Sequence, residues 1–402
     1  MTVFVTGATG YLGGYACAEI LRRSDEDLAL LVRARDERAA VERLWKGWQL
    51  HMDADRFAEV LGRVHFVFGD LTAPDLGLDA GTWRRVAHGI DSVLHIAASL
   101  NRKSAKACFN VNLRGTLSVI RLARDAADHH GLRRFSDVST AAVAGTRQGE
   151  VVTEDETIDW DRSDYDPYAR TKKFCEHMVH ELLPDVPRTI FRPTTVLGDS
   201  RFPETTQFDM VYAFAVLAYA PVVPLDPDWR MDIVPADYVG EAIATLHLGE
   251  PAHDAYSLSS GVASPTFGEI TRALRRAGHP MRPVFAPRLA RPVDRLVDRL
   301  MATPKKLGIA RPASLLKVFL PYLTYDTVFD NRRVVEALGH APRPFTEYCY
   351  PLLRFAVSSG FTYPHRPLPD GFVPTRPTRP LGAAAAKAAA PRGPAQEPRC
   401  PD

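Results

Sequence analysis

Short β-branched runs alternate with longer stretches of helical periodicity over the first third of the chain. Five of these runs are typical of buried strands: Val3–Thr6, Leu28–Val32, Val64–Phe68, Ser92–Ile96 and Phe135–Ser139. Between them, segments such as Tyr11–Arg23 and Val111–Ala127 place apolar residues at helical spacing. Strands that alternate with helices form βαβ units, in which helices cover both faces of a parallel sheet. We therefore expect a doubly wound α/β sheet, which two later runs extend: Thr189–Arg192 and Tyr256–Ser259.

The sequence changes in character after about residue 265. Residues 272–317 contain twelve Lys or Arg and two acidic residues, so this segment is strongly basic. Residues 364–402 contain ten of the 32 prolines and an Ala-rich run, and they offer few side chains to bury. These changes predict a large α/β domain over 1–265, a smaller and mostly helical region over 266–363, and a disordered tail over 364–402.

The composition is that of an ordinary folded protein. At 402 residues and 46% hydrophobic, the chain is long enough to bury a large core. Its net charge of +2 does not favour a basic nucleic-acid-binding protein, so no nucleic-acid partner is expected. The five cysteines are odd in number and lack CxxC spacing, so neither a disulfide framework nor a metal site is predicted.

The chain carries no recognisable targeting or membrane-spanning signal. The segment MTVFVTGATG has neither a basic region nor a long apolar run, so it does not read as a signal peptide. The longest apolar stretch, Met210–Leu225, is interrupted by Pro221 and Pro224 and is too short to cross a bilayer. We therefore expect a cytoplasmic protein without a transmembrane segment.

A glycine-rich turn, TGATGYLG at 6–13, directly follows the first strand and opens the first helix. Gly7 and Gly10 allow the backbone to turn tightly and to approach a pyrophosphate, while Gly13 allows the helix to pack close to the sheet. The helix N-terminus adds N–H donors and a positive dipole end. This context predicts a dinucleotide site, against the alternative of a strand–turn–helix that binds nothing.

The end of the second strand indicates which dinucleotide binds. An acidic residue there holds the 2′-hydroxyl of NAD, whereas an arginine accommodates the 2′-phosphate of NADP. Here the strand ends in Arg33, and Arg43 lies one helix further on. These residues favour NADPH, unless Arg33 pairs with Asp36 and both arginines are ordinary surface residues. The sequence Gly-Asp-Leu at 69–71 follows the third strand, where it either contacts an adenine or forms a plain turn.

A phenol and an ammonium group, Tyr168 and Lys172, are four residues apart and so share one face of a helix. Tyrosine, with a pKa of ~10, becomes an effective acid–base group when a cation and a ribose hydroxyl lower that value. Alone, such a pair is usually two surface neighbours, but its place after five βα units and a glycine-rich turn makes it a candidate proton-transfer pair. A hydroxyl at the end of the fifth strand would complete the group. We assign it to Thr140 rather than Ser139, with local backbone bonding as the alternative.

Taken together, these residues resemble the extended short-chain dehydrogenase/reductase superfamily, which has a Rossmann-type fold. More narrowly, the chain is similar to the branch that contains fatty acyl-CoA reductases and the thioester reductase domains of carboxylic acid reductases and peptide synthetases. The narrower resemblance rests on the order of seven motifs: TGATGYLG at 6–13, LVRA at 31–34, GDLTAPDLGL at 69–78, HIAA at 95–98, NVNLRGT at 110–116, FRPTTVLG at 191–198 and DIVPADYV at 232–239. It covers roughly residues 1–265.

The resemblance implies a set of site residues. Thr140, Tyr168 and Lys172 would be catalytic. The cofactor, NADPH, would contact the glycine turn, the two arginines, the loops after the central strands and the Tyr–Lys pair: Thr6, Gly7, Thr9, Gly10, Tyr11, Leu12, Gly13, Arg33, Arg43, Asp70, Leu71, Ala97, Ala98, Asn112, Tyr168, Lys172, Pro193 and Thr194. His95 is expected to be a core histidine, and a structural role is the alternative for Asn112.

The implied reaction is NADPH-dependent reduction of an acyl thioester to an aldehyde, with further reduction to an alcohol left open. The substrate would be an acyl-CoA or an acyl-carrier protein, and a stand-alone reductase is expected because no adenylation or carrier domain is recognised. Residues 200–228 and 266–363 would select the substrate, with Met210–Leu217 forming either an acyl channel or an ordinary core helix. The basic segment 272–317 would dock an acidic carrier protein, coenzyme A phosphates or an anionic membrane surface, or remain a solvated face.

Two other functions share these motifs. Another extended dehydrogenase, such as a nucleotide-sugar epimerase or dehydratase or a hydroxysteroid-type dehydrogenase, uses the same turn and Tyr–Lys pair. The apolar stretch at 208–225 argues against a sugar diphosphate. An NADP-sensing regulator has the same fold, but such proteins commonly lose the Tyr–Lys pair. The sequence carries no signal for an oligomeric state.

Overall fold

Seven parallel strands form the central sheet of the computed structural model, which describes residues 1–289, 324, 326–375 and 381. The strands of the described residues are β1 (Thr2–Thr6), β2 (Asp27–Val32), β3 (Val64–Phe68), β4 (Ser92–His95), β5 (Arg134–Val138), β6 (Val151–Val152), β7 (Arg188–Pro193), β8 (Thr195–Val196), β9 (Val222–Val223), β10 (Ile233–Val234), β11 (Ala255–Leu258), β12 (Val284–Phe285) and β13 (Val328–Phe329). The order across the central sheet is β11-β7-β5-β4-β1-β2-β3, and every neighbouring pair is parallel. Each of these seven strands begins and ends within one residue of its prediction, and the doubly wound Rossmann-type α/β fold is confirmed.

Helices connect the strands and build a lobe beside the sheet. Their bounds are α1 (Tyr11–Arg23), α2 (Glu37–Trp48), α3 (Ala54–Val60), α4 (Ala80–Gly89), α5 (Ala105–Cys108), α6 (Gly115–His130), α7 (Pro167–Leu182), α8 (Asp209–Ala218), α9 (Ala236–Leu248), α10 (Phe267–Arg276), α11 (Arg332–Leu338) and α12 (Phe345–Ser358). A π-helical turn, Phe109–Arg114, joins α5 to α6, so the helix predicted over 111–127 is divided and extends further. Within the described ranges, no helix combines the length and the apolar character needed to cross a membrane.

Alternation along β1 places successive side chains in two separate cores. Val3 and Val5 pack with residues of α1, α2 and α9, whereas Phe4 packs on the opposite face with residues of α4, α6 and α7. All three side chains are fully buried. Because neighbouring side chains of a strand point to opposite faces, a strand covered by helices on both sides is mostly apolar on both faces. This explains why β1 is recognisable as a short apolar run.

A third apolar cluster builds the lobe beside the sheet. Its buried side chains come from α8, α10 and α12, and include Phe214, Ile270 and Leu352. The short parallel pair β9–β12 joins the same lobe. Residues around α8 therefore pack with residues beyond the boundary predicted at 265. Residues 290–323, with most of the predicted basic segment, lie outside the described residues.

Residues 364–375 differ from the expectation of a disordered tail that begins at 364. The rings of Phe372 and Phe57 lie with their centroids 5.7 Å apart, and Trp45 Nε1 donates a hydrogen bond to Arg366 O at 2.9 Å. This segment therefore packs on α2 and α3, because its few large side chains find partners there. The rest of the predicted tail, apart from Leu381, lies outside the described residues.

The crossing of α1 and α9 depends on a glycine. A Cβ atom added at Gly240 of α9 would lie 2.7 Å from Tyr15 Cβ and 3.2 Å from the Tyr15 carbonyl carbon. Tyr15 is buried and both atoms are close to its backbone, so neither can move aside without moving the helix. The close approach holds α1, which begins at the glycine-rich turn, against the sheet.

Gly240→Ala is expected to lower the free energy of unfolding by about 1–3 kcal/mol, because the added methyl group overpacks this crossing. Helix propensity alone predicts the opposite sign, a gain of about 1 kcal/mol. Urea denaturation followed by circular dichroism measures the difference. A gain in stability would show that the two helices do not touch at this position.

Candidate active site

A cavity of about 730 Å³ opens along the carboxyl edge of the sheet, where the loops after β1, β4, β5 and β7 meet. In a doubly wound sheet, ligands bind at this edge, next to the point where the strand order reverses. Every residue that the sequence analysis assigned to the site lines this cavity, with the exception of Asn112 and Lys172. The glycine-rich turn and Tyr168 therefore border one continuous space.

The glycine-rich turn presents bare backbone to the cavity. Gly7 adopts a φ of +81°, in the left-handed region, and a Cβ atom there would lie 2.7 Å from Ala97 N. A Cβ atom at Gly13 would overlap Gly7 O. The turn is closed by a hydrogen bond from Gly10 N to Gly7 O at 2.9 Å. Such a cradle of backbone at a helix N-terminus fits a pyrophosphate.

Side chains from three elements hold this turn in place. Thr6 Oγ1 accepts a hydrogen bond from Ala97 N at 3.2 Å and lies 2.6 Å from His95 Nδ1. Trp48 Nε1, at the end of α2, donates to Ala8 O at 2.9 Å. Burial lowers the pKa of His95 to about 3, so it is neutral at pH 7. His95 is thus a core histidine, as expected, whereas the sequence analysis missed the support from Trp48.

Two arginines and an aspartate form one end of the cavity. Arg33 Nη1 lies 3.6 Å from Asp70 Oδ2, and Arg43 Nη1 donates to Arg33 O at 3.0 Å. Hydrogen bonds from Thr72 lower the pKa of Asp70, and the charge of Arg33 adds to the effect. Asp36 instead caps α2 and pairs with Arg35, so the pairing of Arg33 with Asp36 that was considered as an alternative does not form. Both guanidinium groups at this end suit an anionic phosphate.

Helix α7 presents Tyr168 to the cavity because its first turn is well defined. Asp166 is the N-cap and accepts a hydrogen bond from a backbone N–H of that turn at 2.9 Å, and Pro167 occupies the first helical position. The Arg102 guanidinium lies over the Tyr168 ring, 5.0 Å from its centroid. Burial raises the pKa of Tyr168, and the positive charges of Lys172 and Arg102 oppose this rise. The sequence analysis identified the lysine but not the arginine.

Two hydroxyl groups follow β5 at the cavity wall. Thr140 Oγ1 accepts a hydrogen bond from Ala142 N at 3.3 Å, which is the local bonding considered as the alternative role of Thr140. Side-chain hydrogen bonding with Thr140 also lowers the pKa of Tyr168. Ser139 is only 2% exposed, and its hydroxyl has no hydrogen-bond partner in the part of the chain that the structure describes. Buried hydroxyls normally have partners, so Ser139 marks a position where a polar ligand group fits.

Lys172 lies behind the cavity wall in a buried ion pair that the sequence analysis missed. Its Nζ is 3.3 Å from Asp137 Oδ1 of β5, and the two side chains are 1% and 0% exposed. Burial alone would lower the pKa of Lys172, but the Asp137 carboxylate outweighs this effect and raises it. Asp137 therefore keeps the lysine protonated one helical turn from Tyr168. A lone acidic residue within the predicted buried strand Phe135–Ser139 was the available signal, since buried charges are almost always paired.

Asn112 connects the loop after β4 to α7. It lies in the π-helical turn, where Oδ1 accepts from Ser99 N at 2.7 Å and Nδ2 donates to Thr171 Oγ1 at 3.1 Å. Because both ends of the amide are engaged and the residue does not line the cavity, its placement matches the structural alternative. The π-helical geometry turns this side chain towards the loop, which helical periodicity does not reveal.

The wall opposite the glycine-rich turn is organised around Asp232. Its carboxylate accepts hydrogen bonds from Thr194 Oγ1 at 2.9 Å, Ser259 Oγ at 2.6 Å and Ser260 N at 2.9 Å. Burial raises the pKa of Asp232 to about 6, against the effect of these hydrogen bonds. Beyond this wall, residues from three segments close the end of the cavity nearest the lobe: Gln207, Asp209, Met210, Arg230, Met231, Thr327 and Phe329.

The cavity fits a bound dinucleotide. It offers bare backbone at the glycine-rich turn, positive charge at one end and an unpartnered hydroxyl, Ser139, at the other. Its volume lies within the range of small-molecule and cofactor sites. Among the described residues, no group of three or more His, Cys, Asp or Glu side chains is arranged to hold a metal ion.

Comparisons with known proteins agree with this geometry. A family model described as "Male sterility protein" matches residues 5–243. An isonitrile lipopeptide synthase of Mycobacterium tuberculosis is 33% identical over 276 residues, which are 61% of this chain and 11% of that protein. A carboxylic acid reductase of the same organism is 30% identical over 279 residues, 62% of this chain and 24% of that protein. The chain thus spans a quarter or less of the length of these curated relatives.

A solved structure extends the likeness to most of the chain. The terminal R domain from the myxalamid PKS–NRPS biosynthetic pathway superposes with a TM-score of 0.77 at 25% identity. The match covers 90% of this chain and 91% of that domain. It therefore includes the lobe, for which the sequence contains no recognisable motif.

Replacing Asp137 with Val is expected to lower the free energy of unfolding by about 3–5 kcal/mol, because it leaves the Lys172 charge buried without a partner. The double variant Asp137→Val/Lys172→Met removes both charges and should recover most of that loss. Urea denaturation of the wild type and of both variants measures the difference. If the double variant were as unstable as the single one, the two side chains would not form a pair.

Proposed function

We propose that this chain, which belongs to the male sterility protein family, is an NADPH-dependent reductase that converts an acyl thioester to an aldehyde. The observation that carries the proposal is the shared cavity: Tyr168 and Thr140 border the same space as the glycine-rich turn. The names of the relatives, a carboxylic acid reductase and reductase domains of peptide synthetases, support this over a nucleotide-sugar enzyme. The intact Tyr–Lys pair favours an enzyme over a sensor.

NADPH is the preferred cofactor because of the charge at one end of the cavity. Arg33 and Arg43 both line it, and the Arg33 side chain is 68% exposed there. An exposed guanidinium group can donate charge-assisted hydrogen bonds to a 2′-phosphate without first breaking a buried ion pair. Asp70, which carries the opposing charge, is engaged by Thr72 through two hydrogen bonds.

The glycine-rich turn would hold the pyrophosphate, and Pro193, Thr194 and Ser139 would border the nicotinamide end. When bound there, the cofactor supplies the hydride that reduces the thioester carbonyl carbon. The chain's own residues act on the carbonyl oxygen. Thr140 and Tyr168 would donate hydrogen bonds to the negative charge that develops on it, an effect commonly worth ~3–4 kcal/mol per donor.

Tyr168 would then transfer its hydroxyl proton to that oxygen, giving a hemithioacetal. Lys172, held protonated by Asp137, favours the resulting phenolate and so makes the phenol a better acid. Cleavage of the carbon–sulfur bond of the hemithioacetal releases the thiol and leaves the aldehyde. The thiol would belong to coenzyme A or to the phosphopantetheine of a carrier protein, which share this chemistry.

Tyr168→Phe is expected to lower kcat by about 10²–10⁴-fold, because it removes the proton donor while leaving the ring in place. Binding of NADPH, followed by its fluorescence, should change far less than kcat, because the glycine-rich turn and the arginines keep their contacts. Tyr219→Phe is a matched control, since Tyr219 is exposed and does not line the cavity. Aldehyde formation at the wild-type rate by Tyr168→Phe would remove the tyrosine from the mechanism.

Arg33→Ala is expected to lower kcat/KM for NADPH by about 10–100-fold, because it removes a charge-assisted contact, and to leave kcat/KM for NADH unchanged. Steady-state kinetics with each cofactor measure this ratio. Arg35→Ala is the control, because the Arg35 side chain is 86% exposed, pairs with Asp36 and does not line the cavity. An equal loss with both cofactors would contradict recognition of the 2′-phosphate.

A further inference from the structure

A second, smaller cavity of about 40 Å³ adjoins the end of the main cavity nearest the lobe. It lies between α8, α10 and the short pair β9–β12, with Phe214, Ile270 and Phe285 among its walls. We call it the apolar chamber. Met231 lines both the apolar chamber and the main cavity, so it stands where the two spaces meet.

The lining of the apolar chamber suits hydrocarbon rather than water. Nearly all of its walls are aliphatic or aromatic, and the exceptions are Thr271 and His279. His279 is already engaged, because its Nε2 lies 2.8 Å from Ala218 O. A bound water molecule needs two to four polar partners, which these walls do not supply. An apolar recess beside a binding cavity gains contacts when an apolar ligand group fills it.

Met231 is placed to act as an adjustable partition between the two spaces. Its backbone is fixed, because Met231 N donates to Pro265 O at 2.9 Å and the next residue, Asp232, holds three hydrogen bonds. The side chain is 6% exposed and ends in a flexible thioether. Methionine has three rotatable side-chain bonds and fills irregular gaps, so it can change its shape without moving the backbone.

The end of the main cavity next to this partition is partly apolar, with the polar side chains of Gln207, Asp209, Arg230 and Thr327 beside the apolar ones. Met210, at the start of α8, and Phe329, in β13, line the cavity together with Met231. These side chains lie at the opposite end of the site from the arginines. A thioester whose carbonyl lies at Tyr168 would direct its acyl chain along them.

We propose that the apolar chamber receives the far end of the acyl chain and that Met231 sets the chain length that the enzyme accepts. The proposal rests on the reductase function proposed above and adds to it a subsite and a residue, Met231, that together select acyl chains long enough to reach the chamber. Shorter acyl groups end in the main cavity and do not contact the chamber.

The test compares butanoyl-, octanoyl- and hexadecanoyl-CoA as substrates with NADPH. Met231→Ala opens the partition and is expected to raise the ratio of kcat/KM for the longest over the shortest substrate by at least about tenfold. Ala218→Leu fills the chamber without narrowing the main cavity, because Ala218 lines the chamber but not the main cavity. This variant is expected to lower the same ratio by about tenfold while leaving butanoyl-CoA reduction unchanged.

A binding measurement separates chain selection from catalysis. Calorimetric titration of the three acyl-CoAs without NADPH measures their affinities. The ratio of affinities for the longest over the shortest acyl-CoA should rise in Met231→Ala and fall in Ala218→Leu. Met178→Ala is the matched control, since Met178 packs in a different core and lines neither cavity. Thermal unfolding confirms that each variant is folded before it is compared.

The outcomes distinguish the two proposals. If the wild type reduces no acyl thioester with NADPH, the proposed function fails and this inference fails with it. If the wild type reduces them but Met231→Ala and Ala218→Leu both keep its chain-length ratio within twofold, the role of the chamber is overturned while the reductase function stands. Opposite shifts in the two variants support both.

Discussion

Two loops at the carboxyl edge of the sheet approach each other so closely that only backbone fits between them. Gly7 takes a left-handed conformation beside Ala97, and any side chain there would push apart the loops that follow β1 and β4. The same approach determines where α1 begins and thus where its free N–H groups point. Thr6 accepts a hydrogen bond from Ala97 in the loop after β4, and Trp48 donates one to Ala8 in the glycine-rich turn. The phosphate cradle and the opposite loop are therefore parts of one steric arrangement, and the rest of the cavity is built around it.

The features that could be predicted from the sequence are those that local spacing determines. Strands covered on both faces are short runs rich in apolar and β-branched residues, and runs of this kind located all seven strands of the central sheet within one residue. The glycine-rich turn and the Tyr168–Lys172 pair depend on separations of a few residues, so they were also recognisable. The side chains from these motifs meet in one cavity because the carboxyl ends of parallel strands share an edge.

The features that sequence reasoning missed join residues that are far apart along the chain. Asp137 meets Lys172 across 35 positions, and Trp48 reaches the glycine-rich turn across 40. No local pattern specifies such a pair, although a single acidic residue in the buried strand β5 indicates that a partner must exist. The segment after residue 364 was misjudged for a different reason. Its composition is dominated by proline, which hides the fact that Leu368 and Phe372 are enough to anchor it to the core.

The packing of that segment has a consequence for where the folded unit ends. Helix α2 carries Arg43 at the cavity and Trp48 against the glycine-rich turn, and its Trp45 donates a hydrogen bond to Arg366 O. The ring of Phe372 packs on Phe57 of the neighbouring helix α3. Residues beyond the last helix therefore cover Trp45 and Phe57, on the two helices that support the phosphate cradle. The packed part of the chain reaches at least to Thr375, whose N–H donates a hydrogen bond to Ala58 O.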